Sequence, residues 1–389
     1  MTYDKTAFDA IRPFEKGEMK QALEQLLGDR HFSKVLQGFV PWLPKTVRNA
    51  AFRLAFIGID EPQDFQVRFM KRAVEQLVIR KHTKGCTLEA SCLEKGKARY
   101  TFLSNHRDIV LDSALLDVLL FKGGYERTVE IAIGDNLLIY PWIKTLVKMN
   151  KAFTVRRGLS PRELLQSSQL MSSYIHYAVT EKHENIWMAQ REGRAKDSDD
   201  RTQDSVLKML AMGGEGTHAE RLKELNIVPL TISYEYDPCD YLKAKEFQQK
   251  RDNPAFKKSK QDDLDNMKIG IFGDKGRVHY QASPCINVWI DQLADLPKTE
   301  FFTAVAQRMD RNIHRGYRLF PGNYVACDLL SGSKEFAGKY SEAEKKAFED
   351  YLQSRIDLID LENKDVPFLR ERILTMYANP VRNKLKAEG

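Results

Sequence analysis

The sequence predicts an α/β fold, with a mixed, largely parallel sheet flanked by helices, a helical N-terminal region and a helical C-terminal region. In residues 1–84, apolar side chains recur at three- and four-residue spacing, as they do over 19–27. Over residues 85–298, short β-rich segments alternate with helical segments. Helical periodicity returns over residues 299–389. We therefore expect a helical N-terminal region, a central α/β domain that carries the function, and a helical C-terminal region.

Within the central domain, the order of elements follows from this alternation. Helical segments between strands imply crossover connections, which join parallel strands of one sheet. The highly charged segment Lys243–Lys268 is typical of a solvated insertion of exposed helix and loop. The predicted strands are Thr87–Leu93, Ala98–Leu103, Val129–Ile133, Ala152–Val155, Asn185–Ala189 and Ile227–Tyr234, with late strands at Arg277–Tyr280 and Ile286–Ile290. The predicted helices between them are Leu111–Phe121, Leu137–Met149, Pro161–Thr180 and Asp204–Met212.

Composition limits the classes of function. A chain of 389 residues with 42% hydrophobic side chains can bury a large core, which excludes a disordered protein. The net charge of +7 favours anionic partners such as phosphate-bearing small molecules, acidic carrier proteins or a membrane surface, without requiring nucleic acid. The 5 cysteines have no C-x-x-C spacing, which argues against a disulfide framework or a cysteine zinc site and favours the cytoplasm.

The sequence also restricts the ways in which the protein could contact a membrane. The segment Met1–Glu15 is charged and contains no continuous apolar stretch, so we expect no signal peptide. No apolar run approaches the roughly 18 residues that a membrane-spanning helix requires. We therefore expect any contact with a membrane to be at its surface.

One short loop contains a histidine and two carboxylates. The segment Ser104–Asp112 follows an apolar strand and precedes an apolar helix. His106 can take a proton from a hydroxyl, and Asp112 can hold the imidazole tautomer and stabilise the imidazolium. Asp112 could equally cap the helix that follows, and one carboxylate can do both.

Two further loops bring basic groups to the ends of predicted strands. Arg156 and Arg157 follow Ala152–Val155, and a second basic segment, 190–197, follows Asn185–Ala189. Because the carboxyl ends of parallel strands meet at one edge of a sheet, we expect these groups to lie near His106. A solvated basic turn would explain the arginine pair equally well.

The order of these motifs resembles that of the glycerolipid acyltransferases, the superfamily of glycerol-3-phosphate and 1-acylglycerol-3-phosphate acyltransferases. The resemblance covers roughly Phe102 to Ser233 and comprises four blocks. They are Ser104–Asp112, Gly134-Asp135-Asn136 through Phe153 to Arg157, Ile186–Ala189 with Gly193–Lys196, and Val228-Pro229-Leu230.

Two differences from the family pattern affect the assignments. The family usually places four residues between His and Asp, whereas five separate His106 from Asp112, so we expect a one-residue bulge, with Asp108 directed elsewhere. The family often has Glu-Gly-x-Arg in the third block. Here Glu192-Gly193-Arg194 is one residue shorter, so Arg194 is carried over and Glu192 is not.

The resemblance implies an O-acyltransferase of lipid metabolism in which His106 is the general base and Asp112 orients it. It implies that the acceptor phosphate is held by Arg157, Arg194 and Lys196. Further acceptor-binding positions would be Gly134, Asn136, Arg156 and Gly193. It implies no metal and no cofactor, with acyl-CoA or acyl carrier protein supplying the acyl group as co-substrate.

A lipid product also favours a peripheral location at the inner face of the cytoplasmic membrane. The segment Leu36–Ile57 combines aromatic, aliphatic and basic residues, as an interfacial helix does, although a helix packed on the catalytic domain has the same pattern. Two alternatives stay open. One is an acyltransferase of the same fold with a non-phosphate acceptor, such as an amino-acid lipid. The other, suggested by the altered His-to-Asp spacing, is a non-catalytic protein that binds lipid or acyl carrier.

Overall fold

The structure of the protein is a computed structural model that describes residues 3–96 and 98–389. Met1, Thr2, Lys97 and the side chain of Phe39 lie outside this description. The described chain is an α/β protein with a seven-stranded, mostly parallel sheet flanked by helices, which confirms the predicted fold class.

The strands and helices are numbered here in chain order. The strands are β1 (Cys86–Glu89), β2 (Thr101–Ser104), β3 (Val129–Gly134), β4 (Ala152–Val155), β5 (Asn185–Ala189), β6 (Ile227–Tyr234) and β7 (Val278–Ala282). The helices before β5 are α1 (Met19–Gly28), α2 (Arg30–Phe39), α3 (Lys45–Ala55), α4 (62–82, with π-helical turns at Phe65–Met70 and Glu75–Ile79), α5 (Leu111–Lys122), α6 (Pro141–Met149) and α7 (Pro161–Thr180). The later helices are α8 (Asp204–Leu210), α9 (His218–Glu224), α10 (Asp240–Asp252), α11 (Lys260–Phe272), α12 (Lys298–Arg315), α13 (Pro321–Ser331), α14 (Glu342–Asp357) and α15 (Val366–Glu388).

The sheet order is β1-β7-β6-β2-β5-β3-β4. Strands β2 to β6 are parallel, β7 is antiparallel to β6, and β1 is parallel to β7. In the centre of the sheet, Leu103 pairs with Met188 on one side and with Pro229 on the other. The carboxyl ends of five strands therefore meet at one edge, where ligands bind in open α/β sheets.

Helices cover both faces of this sheet. Phe102 contributes to a core with α4 and α5, whereas the next residue, Leu103, contributes to a core with α7, α8 and α12. This alternation is the two-residue period of a strand that is buried on both faces. Helices α1 and α2 pack with α6, and α13, α14 and α15 form a separate apolar cluster that includes Ala244 of α10.

The strand predictions are confirmed for β5 and β6 inside the sheet and for β4 at its edge, because all three have the predicted bounds. The predicted strand at Ile286–Ile290 is wrong, because Ile286–Val288 and Ile290–Leu293 are short 3-10 helices. The buried residues there are Ile286, Trp289 and Ile290, at three- and one-residue steps that suit helical turns packed on the core better than a paired strand.

The prediction of a solvated insertion at Lys243–Lys268 is also wrong for Lys243 and Glu246, which are buried near the site. The segment forms most of α10 and α11, and Lys243 and Glu246 are buried. Lys243 donates to Asp237, and Glu246 pairs with Lys196. Partner charges within the fold therefore allow these side chains to leave water.

Asp117 provides a test of how α5 packs on the sheet. Its buried carboxylate accepts a hydrogen bond from the backbone N–H of Val129 at 2.9 Å, and burial raises its pKa to about 7. Because the folded-state pKa lies above the unfolded one, the folded state binds the proton more tightly. The free energy of unfolding should therefore fall as the pH rises from 4 to about 7, and stay low above it.

We expect Asp117→Asn, which keeps the acceptor oxygen, to be more stable than the wild type at pH 8 by about 1–3 kcal/mol, with a smaller difference at pH 5. Urea unfolding at both pH values measures this difference. Asp295→Asn, at an exposed position, is the matched control. An equal pH dependence in Asp117→Asn and the wild type would contradict the interpretation.

Candidate active site

The loop after β2 is fixed to the sheet by Asn105. Its side-chain amide donates to the carbonyl oxygen of Ile232 at 2.9 Å, and its amide oxygen accepts from the N–H of Ile232 at 2.7 Å. Asn105 is fully buried, so this pair of hydrogen bonds continues the pairing with β6 beyond the last residue of β2. The next residue, His106, therefore leaves the sheet at a defined position.

His106 and Asp112 make the contact that the sequence predicts. Nδ1 of His106 lies 2.8 Å from Oδ2 of Asp112. The carboxylate also accepts from the N–H of Arg107 at 2.7 Å, from the N–H of Asp108 at 3.1 Å and from the hydroxyl of Tyr234 at 3.4 Å. A carboxylate that only accepts places the imidazole proton on Nδ1, which leaves Nε2 of His106 free to accept one.

The extra residue between His106 and Asp112 is accommodated by Asp108. Its carboxylate accepts from the N–H groups of Val110 and Leu111, each at 2.8 Å, and so caps α5. Asp108 therefore caps the helix, and Asp112 makes the hydrogen bond with His106. Burial, reinforced by the charge of Asp112, raises the pKa of Asp108.

His106 opens onto a cavity of about 770 Å³ at the carboxyl edge of the sheet. Apart from Asp112, which lies behind the imidazole, every candidate residue from the sequence lines this cavity. They are His106, Gly134, Asn136, Arg156, Arg157, Gly193, Arg194 and Lys196. The loops after β2, β3, β4 and β5 therefore converge as expected.

Arg157 lines this cavity and has one donor that no protein group satisfies. Its Nη1 donates to Glu192 at 2.5 Å, while its buried Nε has no hydrogen-bond partner in the described chain. Gly134 makes this position possible, because a Cβ atom there would lie 2.6 Å from Nε of Arg157 and 2.5 Å from Oδ1 of Asn136. The glycine thus serves the site by leaving room for the guanidinium.

Arg194 presents a second such donor. Its Nη2 donates to Asn266 of α11 at 3.2 Å, and its buried Nη1 has no partner among the described residues. Buried guanidinium N–H groups that lack a protein acceptor favour an anionic ligand with several oxygen atoms. Gly193, next to it, has a φ of +68°, a left-handed turn that glycine adopts without strain.

Lys196 differs from the two arginines. The sequence assigns it to the acceptor phosphate, but its ammonium already pairs with Glu246 of α10, which Lys250 and Lys258 also approach at 3.0 and 3.3 Å. Burial lowers the pKa of Lys196 to about 8. The carboxylate therefore neutralises much of the charge that Lys196 would offer to a ligand.

Sequence reasoning missed the contribution of α10. Lys243 lines the cavity and donates to Asp237, which follows β6. Burial alone would raise the pKa of Asp237, yet Lys243 and Arg107 hold it at about 2. The sequence did contain a signal for this contribution. Because β6 is parallel to β2 and ends at the same edge of the sheet, the residues that follow β6 are expected to lie near the site.

The cavity also has an extensive apolar lining, which composition alone did not reveal. Trp187 packs edge-on against the ring of His106, with centroids 5.9 Å apart. The other apolar lining residues come from β3, β4, β5, α7, α8 and the loops after β2, β3 and β4. They are Ile109, Ala132, Ile133, Leu137, Val155, Leu159, Leu164, Met171, Met188, Ala189, Val206 and Met209. The site can therefore bind a ligand that has both an anionic group and a hydrocarbon part.

No family model matches this chain, and a search of curated proteins gave no match.

We expect Gly134→Ala to displace Arg157 and to weaken the binding of inorganic phosphate at this cavity by about tenfold, the loss of one charge-assisted hydrogen bond. Calorimetric titration measures the affinity. Gly28→Ala is the matched control, because no atom lies within 4 Å of a Cβ placed there. Equal phosphate affinity in Gly134→Ala and the wild type would show that Arg157 does not bind the anion.

Proposed function

We propose that the protein transfers an acyl group from an acyl thioester to a hydroxyl of glycerol 3-phosphate or 1-acylglycerol 3-phosphate. One observation carries the proposal. Nδ1 of His106 is held by Asp112, and the same cavity is lined by His106 and by two arginines with unsatisfied buried N–H groups, Arg157 and Arg194. This combination of a base and an anion clamp suits a phosphate-bearing alcohol.

In this proposal, His106 is the general base. Its Nε2 removes the proton from the acceptor hydroxyl while that oxygen attacks the thioester carbonyl, and Asp112 stabilises the imidazolium that forms. The tetrahedral intermediate then collapses, the carbon–sulfur bond breaks, and the thiolate takes the proton from Nε2. The products are an ester and a free thiol, and His106 returns to its starting state.

The arginines contribute orientation. Arg157 and Arg194 hold the phosphate, and this fixes which hydroxyl faces His106 and turns a bimolecular encounter into a positioned one. Lys196, already paired with Glu246, has a smaller part. Asn136, Arg156 and Gly193 also line the cavity and complete the acceptor-binding set that we propose.

The apolar lining suits the acyl chain of the donor. A volume of about 770 Å³ is within the range of cavities that bind organic ligands, roughly 300–1,000 Å³. We propose that acyl-CoA or acyl carrier protein presents the thioester. The longer spacing between His106 and Asp112 was the reason to consider a non-catalytic protein, and their contact at 2.8 Å removes that reason.

No helix in the described residues is both long enough and apolar enough to cross a bilayer. We propose that the protein acts at the inner face of the cytoplasmic membrane and binds it through residues 42–57. Trp42, Leu54 and Ile57 are 74%, 67% and 73% exposed there, and Val47 is also exposed. Large apolar side chains in water near a basic helix are typical of a membrane-binding surface.

If the acceptor phosphate binds to Arg157 and Arg194, their loss should affect the Michaelis constant for the acceptor and not that for the thioester. We expect Arg157→Ala and Arg194→Ala each to raise the Michaelis constant for glycerol 3-phosphate by about 10- to 100-fold, with little change in that for the thioester. Release of free thiol from acyl-CoA, measured with a panel of acceptors, gives both constants. Arg162→Ala, at an exposed position on α7, is the matched control.

The same assay separates the alternatives. Unchanged constants for glycerol 3-phosphate in both arginine variants would favour an acceptor without phosphate. Thioester binding without thiol release, with every acceptor in the panel, would indicate a non-catalytic binding protein. Full activity in His106→Ala would contradict the assignment of the base.

The membrane assignment has its own test. We expect Trp42→Ser combined with Leu54→Ser and Ile57→Ser to weaken binding to anionic vesicles by at least about tenfold, because each apolar side chain contributes roughly 1.5 kcal/mol or more when buried. Vesicle sedimentation measures binding. The control is Leu358→Ser, at an apolar position that is 55% exposed. Unchanged sedimentation of the triple variant would show that this surface does not bind the membrane.

A further inference from the structure

A second concave surface lies beside β7, α12 and α15, away from the residues of the His106 cavity. It consists of two adjoining cavities of about 510 and 390 Å³, which share Pro284, Asn312 and Arg315. We call this surface the α12 groove. It shares no lining residue with the cavity at His106.

The α12 groove is strongly cationic. None of the described residues that line it carries a carboxylate, and five carry a permanent positive charge. They are Arg308, Arg311, Arg315, Arg318 and Lys384. The first three follow helical spacing along α12, which places them on one face. Like charges gathered in this way repel one another, and an anionic ligand would relieve the repulsion.

Two of these cations have no partner within the fold. The side chains of Arg311 and Arg318 are exposed, and among residues 3–96 and 98–389 neither makes a hydrogen bond or an ion pair. By contrast, Arg315 donates to the carbonyl oxygen of Ala387 at 2.6 Å, and Lys384 donates to that of Tyr317 at 2.8 Å. Lys384 also lies 3.9 Å from Glu388, outside the lining.

His279 shows that these charges converge. It lines the larger cavity, and its pKa is lowered by burial and by the positive charges of Arg318 and Lys384. A hydrogen bond with Gln281 and the carboxylate of Glu89 act in the opposite direction. The imidazole therefore lies in the field of cations that come from two different parts of the chain.

A buried donor without a partner gives an independent indication of a ligand. Nε1 of Trp289, which lines the smaller cavity, is buried and has no hydrogen-bond partner in the described chain. Trp289 is 4% exposed. Arg308 stacks on the indole of Trp289 at 4.7 Å, so a guanidinium lies beside this donor. Native proteins leave few such groups unsatisfied.

We propose that the α12 groove binds a phosphate-bearing ligand at a site separate from the His106 cavity. Guanidinium groups match phosphate oxygens in a bidentate way, and two adjoining cavities suit a ligand with two anionic groups, such as a diphosphate. The inference does not depend on the proposed acyl transfer. The phosphate could belong to a soluble molecule or to a lipid headgroup, which the experiment distinguishes.

The test uses the imidazole of His279 as a local reporter. Pyrophosphate is titrated into the full-length protein, and the pKa of His279 is followed by NMR. We expect saturation to raise this pKa by about half a unit or more, because a nearby anion favours the imidazolium. Pyrophosphate bound only in the His106 cavity would leave His279 unchanged.

Variants identify the groups that bind. We expect the double variant Arg311→Gln with Arg318→Gln to weaken the pyrophosphate response of His279 by at least about tenfold, since two charge-assisted contacts are lost. Both side chains are exposed and unpartnered, so the fold should be retained, which circular dichroism checks. Arg30→Gln, at an exposed position on α2, is the matched control.

A second arm uses vesicles of neutral lipid with and without phosphatidic acid. Loss of phosphatidic-acid binding in the double variant would support the groove and identify a lipid headgroup as the source of the phosphate. A response of His279 to pyrophosphate with no effect of the double variant on vesicle binding would support a soluble ligand. The proposal is overturned if pyrophosphate leaves the pKa of His279 unchanged and the double variant binds phosphatidic-acid vesicles as the wild type does. It is also overturned if the pKa of His279 responds to pyrophosphate in the double variant as it does in the wild type.

Discussion

The hydrogen bonds accepted by one buried carboxylate shape the loop on which the site depends. Asp112 accepts from the ring of His106, from two consecutive backbone N–H groups and from Tyr234. The backbone bonds bend the loop around the carboxylate, and the imidazole bond sets the tautomer. An alanine at this position would remove every one of these acceptors, so the loop would lose its backbone hydrogen bonds and His106 would lose the bond that fixes its tautomer. Structure and chemistry therefore depend on the same group.

Around this loop, the parallel strands determine which groups can meet. Because β2, β5, β3 and β4 are neighbours and point the same way, residues far apart in sequence reach one cavity. The arginines there are kept in place by protein carboxylate and amide groups, while one N–H of each stays unsatisfied. Such partial satisfaction orients a cation without neutralising it fully, which is what an anion clamp requires.

Part of the sheet and one contact of the site could be predicted from the sequence, for physical reasons. Strand β6 is an eight-residue segment that is buried along its whole length, so its bounds are visible without a structure, whereas the four-residue β2 begins three residues later than predicted. The pairing of His106 with Asp112 was also predictable, since the two lie in one loop. The role of Asp108 as the helix cap was not predicted, because only the loop conformation decides which carboxylate meets the N–H groups of α5.

The contribution of α10 was harder to predict, because its burial depends on long-range ion pairs. Lys243 and Glu246 lie in a segment whose composition is typical of a solvated surface, yet Asp237 and Lys196 draw them into the fold. The same pairing explains why Lys196, a good candidate by sequence, has a partner already. Composition records the number of charges in a segment and contains no information on the distant partners that neutralise them.

The most direct measurement of the central claim is a structure with glycerol 3-phosphate bound. We expect the phosphate oxygens within hydrogen-bond distance of Nε of Arg157 and Nη1 of Arg194. We also expect one hydroxyl at about 2.6–3.2 Å from Nε2 of His106, the reach of a general base. A phosphate that binds away from both arginines, or an acceptor with no hydroxyl near His106, would contradict the assignment.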